Sequence, residues 1–192
     1  MAATPSTPTR VTTGTVRLSY AHLFEPHAAF EGQDPKFSTV IMIPKSDTAT
    51  IDKLRRAQQF ALEEGKNTKF GGKIPKNWGD TIKDGDEDAD LDQNPEYAGH
   101  WYLSVGAQAS RPPVIVDRRR QQITDPTEVY SGCYARVSLN AFAYSVQVNK
   151  GVSFGLNAVQ KVSDGEQFGG GKVDIDATFE DLGDDEDEGD II

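Results

Sequence analysis

Cys133-Tyr134-Ala135-Arg136-Val137-Ser138-Leu139-Asn140-Ala141-Phe142-Ala143-Tyr144 is the stretch on which the fold turns. Cys133, Ala135, Val137, Leu139, Ala141 and Ala143 alternate without a break against Tyr134, Arg136, Ser138, Asn140, Phe142 and Tyr144. Successive side chains of a strand point to opposite faces, so this period of two predicts one long strand, Cys133 to Val148, with a single buried face. Asn149-Lys150-Gly151 has the composition of a turn, and Val152 to Val162 is predicted to return as the antiparallel partner.

Upstream, Val11 to Leu23 alternates as well, with Val16, Leu18 and Tyr20 opposite Thr15, Arg17 and Ser19. Lys36 to Ile43 gives a second early strand, ended by Pro44. Tyr97 to Gln108 sets Trp101, Leu103 and Val105 against His100, Tyr102 and Ser104, and Val114-Ile115-Val116 adds a short apolar run. One helix lies between the early and late strands. Ser46 is its predicted N-cap, Asp47 sits against its positive end, and Ile51, Leu54, Ala61 and Leu62 share a stripe that Gly65 is predicted to end. Phe60 falls off the stripe. Strands of this length, one helix, and glycines where strands bend predict a mainly β chain. The expected architecture is a small, partly open antiparallel barrel of the OB type with long loops, and a two-sheet sandwich is the alternative.

Charge divides the chain further. It carries 30 acids and 20 bases. Ten of the acids fall between Asp174 and Asp190, where there is no Lys or Arg, which leaves residues 1–173 with twenty of each sign. A segment so densely charged and so poor in apolar residues does not repay the entropy of ordering, so the tail is expected to be disordered. The expected organisation is a disordered lead over 1–10, one domain over 11–168, and a Gly-rich hinge and acidic tail over 169–192. The lead has neither the basic start nor the apolar core of a signal peptide. No apolar run reaches the ~18 residues of a membrane span. Lone Cys133 fits a reducing compartment.

The connection after the helix has two characters. Residues 66–76 hold four lysines and no acid, whereas 80–96 hold eight acids and only Lys83. Asp84-Gly85-Asp86-Glu87-Asp88-Ala89-Asp90 is not a calcium loop: Ala89 stands where the turn glycine belongs and Pro95 where the bidentate Glu belongs. A solvated acidic loop is expected instead. His22, His27 and His100 have no metal-ligand spacing, Cys133 lies on the interior face, and no phosphate loop or nucleophile elbow is present. No catalytic residue, metal or cofactor is assigned.

The segregated signs point instead to a binding surface. Lys66, Lys69, Lys73, Lys76, Arg111, Arg118, Arg119, Arg120 and Arg136 are candidate phosphate contacts, and Phe70, Trp78, Tyr102 and Tyr134 are candidate stacking rings. Phe142, Tyr144 and Trp101 are expected to pack between strands.

Several blocks carry a family resemblance. They are Val11-Thr12-Thr13-Gly14-Thr15-Val16-Arg17-Leu18-Ser19-Tyr20-Ala21-His22-Leu23-Phe24-Glu25-Pro26, then Lys36-Phe37-Ser38, Ile43-Pro44-Lys45-Ser46-Asp47-Thr48 and Phe70-Gly71-Gly72-Lys73. Tyr130-Ser131-Gly132-Cys133-Tyr134-Ala135-Arg136-Val137 and Gly155-Leu156-Asn157-Ala158-Val159-Gln160-Lys161-Val162 complete the set. Together they resemble a family of phage-encoded single-stranded DNA-binding proteins, long catalogued as a domain of unknown function. The resemblance implies an OB-type fold, binding of single-stranded DNA without sequence preference, and an acidic C-terminal tail.

The expectation that follows is a non-enzymatic binder of phage replication or recombination, acting in the cytoplasm of the infected bacterial host. Its tail segment Asp184, Asp185, Glu186, Asp187, Glu188, Asp190, Ile191 and Ile192 is expected to compete with DNA and to recruit phage or host replication proteins. A homo-oligomer on the DNA is included among the partners considered. The alternative reading is a DNA-mimicking or protein-interaction module. A weaker third is a metal-dependent nuclease using the Asp80–Asp92 acids.

Overall fold

The computed structural model describes residues 8–168. Residues 1–7 of the lead and the hinge and tail over 169–192 therefore lie outside the described residues.

The long alternating stretch forms β8 of the chain, Tyr134–Val146, paired antiparallel with β9, Asn149–Ser163, from Tyr134↔Ser163 to Val146↔Asn149. The turn comes earlier than its sequence suggests. Gln147 takes a positive φ of 54° and, with Val148, makes the connection, so Asn149, Lys150 and Gly151 are already strand. The predicted inner face is correct: Cys133, Ala135, Val137 and Leu139 are fully buried.

The remaining strands are β1 (Arg10–Thr12), β2 (Val16–His27), β3 (Lys36–Pro44), β4 (Gly79–Asp80), β5 (Lys83–Asp84), β6 (His100–Gln108) and β7 (Val114–Val116). The first predicted strand is thus split at Gly14 into β1 and β2. Neighbours run β8–β2–β3–β6–β9, and β9 pairs back onto β8, which closes a five-stranded barrel. The β6–β9 seam is parallel and rests on the single pair Gly106↔Gly155. On either side of it β4, β5 and β7 fill the gap, β5 on β6 and the other two on β9. This is an OB-type barrel, open at one seam. Leu18, Ile41, Ile43, Leu103, Val105, Leu139 and Phe154 fill it, each at most 2% exposed. Burial of each such side chain contributes roughly 1.5–3 kcal/mol.

Helix α1, Thr48–Thr68, connects β3 to the rest and lays Leu54, Ala57, Ala61 and Leu62 against the core. Its N-cap is Asp47, one residue later than expected: the carboxylate accepts from the Thr50 amide at 3.1 Å and from its hydroxyl at 2.7 Å. Gly65 does not end the helix, which runs three residues further. A Cβ there would lie 2.5 Å from the Ala143 Cβ, so glycine allows α1 to touch β8. Phe60, off the stripe in sequence, is exposed on the free side of the helix.

Candidate functional site

In OB barrels, oligonucleotides lie across the second and third barrel strands, between the first hairpin loop and the last. Here those strands are β3 and β6, in register from Lys36↔Gln108 to Pro44↔His100. Their outward side chains include Lys36, Ser38, Val40, Tyr102 and Ser104. The flanking loops are 28–35, with Phe30 65% exposed, and the β8–β9 tip, with Val148 91% exposed.

The lysine loop comes up beside that tip. Lys73, Ile74, Pro75 and Lys76 share a cleft with Gln147, Val148 and Lys150. Lys66, Lys69, Lys73 and Lys76 are all exposed, and none has an ion-pair partner among the described residues. Phe70 leaves the stacking set. It is 5% exposed, its ring packed beneath Gly65 and facing the core. Trp78 is half-buried against the same core rather than free on the loop.

The arginines stand elsewhere. Arg118, Arg119 and Arg120 occupy a turn after β7, shaped by the Asp117 carboxylate, which accepts from the amides of Arg119 (2.8 Å) and Gln121 (2.9 Å). Arg118 Nη1 donates to the Val162 carbonyl at 2.9 Å. Gln160 donates toward the Asp117 and Arg118 carbonyls and pairs with Arg136 on β8, so Arg136 and the triplet form one cationic flank. From Lys150 to Gln160 along β9 is ten residues, about 33 Å. The two basic groups therefore lie at opposite ends of the barrel wall and do not share a cleft. That span equals roughly ten nucleotides at the stacked spacing of B-form DNA, inside the ~4–16 nucleotide range of OB domains. Arg111, exposed just beyond β6, stands at the Lys36 end of the β3–β6 face.

Tyr134 and Arg136 point outward from β8, which is separated from β3 by β2 and from β6 by β9. Tyr134 receives the Arg17 guanidinium at 5.2 Å, and Arg136 Nε donates to the Thr13 carbonyl at 3.2 Å. Tyr102 is on the expected face but carries a neighbour: Tyr97 stacks on it with centroids 4.8 Å apart and planes 1° from parallel.

That neighbour arrives on the acidic loop, which is not merely solvated. Lys45 Nζ reaches Asp84 at 2.7 Å and Asp86 at 2.6 Å, and stands 5.1 Å from the Trp101 centroid. Asp84 also accepts from the Asp86 amide, Asp86 from the Gly99 amide, and Asp88 from the Asp84 amide. Hydrogen bonds from Lys45, then from backbone amides, hold the Asp84 and Asp86 carboxyls below the ordinary range. Asp80 is half-buried. Burial would raise its pKa, but donation by Gln58, Arg55 and the Ile82 amide outweighs that and lowers it. Among the described residues no group of three or more His, Cys, Asp or Glu is placed to hold a metal.

Sequence reasoning passed over Lys36, Lys83 and Lys150, single cations on strands with no run of like charge to mark them. It also assigned Phe142 to packing between strands. Phe142 is in fact 44% exposed, and with Tyr144, Thr81 and Lys83 it lines a cavity of about 510 Å³ on the outer wall of the hairpin.

Residues 9–192 match the family described as Enterobacter phage Enc34, ssDNA-binding protein. Protein p50 of Acyrthosiphon pisum secondary endosymbiont phage 1 is 32% identical over 174 residues, 87% of this chain and 90% of that protein. Among solved structures, the single-stranded DNA-binding protein from bacteriophage Enc34 in complex with ssDNA is 27% identical with a TM-score of 0.71. That match covers 84% of this chain and 90% of the other. Gp2.5, a single-stranded DNA-binding protein encoded by bacteriophage T7, is 18% identical with a TM-score of 0.60 over 91% and 96% of the two chains, a likeness of fold alone.

Proposed function

The chain belongs to the family of the Enterobacter phage Enc34 ssDNA-binding protein, and on that premise we propose that it binds single-stranded DNA without sequence preference, in the replication or recombination of a phage genome. The family is one of binding proteins, not enzymes. The family match across residues 9–192 carries the reading. The surface supports it: exposed Lys73 and Lys76 meet the hairpin tip at one end of the β3–β6 face, and Lys36 and Arg111 stand at the other. In this reading the lysines and arginines displace counterions from phosphates while exposed rings stack on bases of any identity. Action in the cytoplasm of the infected host is part of the same proposal and rests on the family; no helix among the described residues is long and apolar enough to cross a membrane.

The tail is part of the proposal. Tethered beside the basic surface at roughly millimolar effective concentration, residues 184–192 compete with DNA and are freed for replication partners when DNA displaces them. The test is a titration of full-length protein and a 174–192 deletion against single- and double-stranded oligonucleotides at two ionic strengths. The expected result is binding that weakens with salt, and tighter binding with less strand discrimination after truncation. No binding by either protein would overturn the reading, and unchanged or weaker binding after truncation would remove the competition. The DNA-mimic alternative needs carboxylates arrayed outward, whereas Asp84 and Asp86 are directed to Lys45 and to backbone amides.

A further inference from the structure

The structure holds a second recess, away from the lysine loop. β2 carries a bulge: Ser19 pairs with Val40 and His22 with Ser38, so Tyr20 and Ala21 together oppose one residue of β3. The bulge puts Tyr20 at a φ of 45°, unusual for an aromatic residue, and turns its ring outward, 57% exposed. Its hydroxyl donates to Asn94 Oδ1 at 3.0 Å, across a cavity of about 650 Å³. The far walls are the end of the acidic loop and the segment 166–168. Arg17, itself fixed by donating through Nε to the Gly132 carbonyl at 2.9 Å, holds that segment by donating through Nη2 to the Glu166 carbonyl at 2.9 Å and lying 4.1 Å from the Phe168 centroid.

Its chemistry is not that of a phosphate site. Arg17 Nε and Nη2 are engaged by carbonyls, and two carboxylates, Glu96 and Glu166, stand in the wall. What remains are neutral groups that both donate and accept, Gln93, Asn94 and Gln167, beside an exposed ring. Such a lining suits the edge and face of a nucleobase, and the volume falls within the ~300–1,000 Å³ of small-ligand sites.

The recess is also continuous with the β3–β6 face. His22 lies at its edge and stacks on His27, with centroids 4.0 Å apart and planes 8° from parallel. His27 in turn pairs with Lys36, at the start of β3. Burial and the neighbouring His27 hold the His22 imidazole below its ordinary pKa, so at neutral pH it is an uncharged ring. Read from the face outward, the surface offers a cation at Lys36, a two-ring platform, then Tyr20 and the cavity.

We propose that this lane is a further subsite for single-stranded DNA: the strand leaves the β3–β6 face at Lys36, passes the His22–His27 pair, and places a base against Tyr20 in the cavity. The inference rests on the single-strand reading above. It assigns base contact to a strand of the barrel that the OB pattern leaves outside the ligand face.

The test uses full-length protein and a single-stranded oligonucleotide carrying 5-iodouracil, with photocrosslinked peptides mapped and the number of occluded nucleotides measured. Crosslinks are expected in the 17–27 segment. Tyr20→Ala should weaken binding about tenfold and shorten the occluded length by one or two nucleotides, while Tyr20→Phe retains both. Tyr20→Gly removes the ring and relieves the positive φ, so the same loss in that variant separates the lost ring from misfolding. Crosslinks confined to the lysine loop and hairpin, with unchanged affinity and occluded length for Tyr20→Gly, would overturn this inference alone. Wild-type protein that fails to bind any single strand would overturn the underlying reading with it.

Discussion

From the last turn of α1, which carries Lys66, to the start of β6 the chain makes two successive excursions, 66–78 and 84–98, opposite in sign of charge and opposite in use. The acidic one is internally satisfied: Asp84, Asp86 and Asp88 accept backbone amides, Lys45 bridges two of them, and Tyr97 stacks on Tyr102. The basic one is exposed and without ion pairs among the described residues. The difference follows from side-chain chemistry. A short carboxylate accepts amides of its own loop and so builds the loop. An ammonium on four methylenes has only donors and stays in water. Dense charge of one sign thus becomes structure in one loop and an unused potential for phosphate in the other.

The comparison breaks most visibly on the basic side. Replacing Lys66, Lys69, Lys73 and Lys76 by Gln removes up to four phosphate contacts, each contributing ~0.7 to the salt slope for a single strand. Affinity near 0.1 M salt should then fall roughly a hundredfold or more, and the slope of log affinity against log salt by up to ~2.8. A fluorescence titration at four salt concentrations measures both. An unchanged slope would mean that the lysines merely solvate the loop.

A stability test addresses how the basic loop is anchored. Gly65→Ala places a methyl 2.5 Å from the Ala143 Cβ and 3.0 Å from the Phe70 ring. Overpacking of this kind typically costs about 1–3 kcal/mol, against about 1 kcal/mol gained in helix propensity. Denaturant unfolding should show a net loss. A stabilised variant would show that the α1–β8 contact yields easily and does not require glycine at position 65.

That glycine illustrates what a sequence conceals. The barrel was legible because Cys133–Ala143 alternates over six pairs with nothing polar on the inner face, and only a strand buried on one side explains that. The helix stripe was legible for the same reason at its own period. Gly65 was misread because a helix-stopping glycine and a close-approach glycine have identical neighbours in the chain; only Ala143, distant in sequence, distinguishes them. The hairpin turn was misplaced because Gln147 supplies a positive φ that turn composition assigns to Asn149 or Gly151. The site was less legible still. Phe70 sits between Lys69 and Gly71 and Phe142 between two alanines, yet tertiary packing buries the first and exposes the second. The Tyr20 bulge leaves no mark at all, since two residues facing one is a property of the pair of strands.

A subtler way to sharpen the comparison removes charge from the acidic side. Asp84→Asn with Asp86→Asn deletes two negative charges near the proposed DNA face, and simple screening would tighten DNA binding. The geometry leads to a different outcome: Lys45 loses both partners, the loop loosens, and the melting temperature falls while DNA affinity changes little. Tighter binding with unchanged melting would return this loop to the status of a solvated screen.

The smallest effect is also the most specific. Asp84 and Asp86 have carboxyls held below the ordinary value of 3.8, first by Lys45 and then by backbone amides. A carboxylate with a depressed folded-state pKa contributes stability that is complete above its unfolded pKa and is lost as pH falls through the folded value. Above about pH 5 these residues should therefore add little slope to the melting temperature, and their contribution should fade progressively as pH falls below that. Lys45→Met removes the first-named cause for both, so the two carboxyls should rise toward the ordinary value; the variant should be less stable than wild type at neutral pH and should lose less stability on acidification. Asp80 provides an internal control: its pKa is lowered by Gln58, Arg55 and the Ile82 amide, none of which touches Lys45, so its share of the acid transition should persist in the variant. Melting curves of both proteins from pH 7 to pH 2.5 resolve the two contributions, and coincident profiles would mean that Lys45 does not hold the acidic loop.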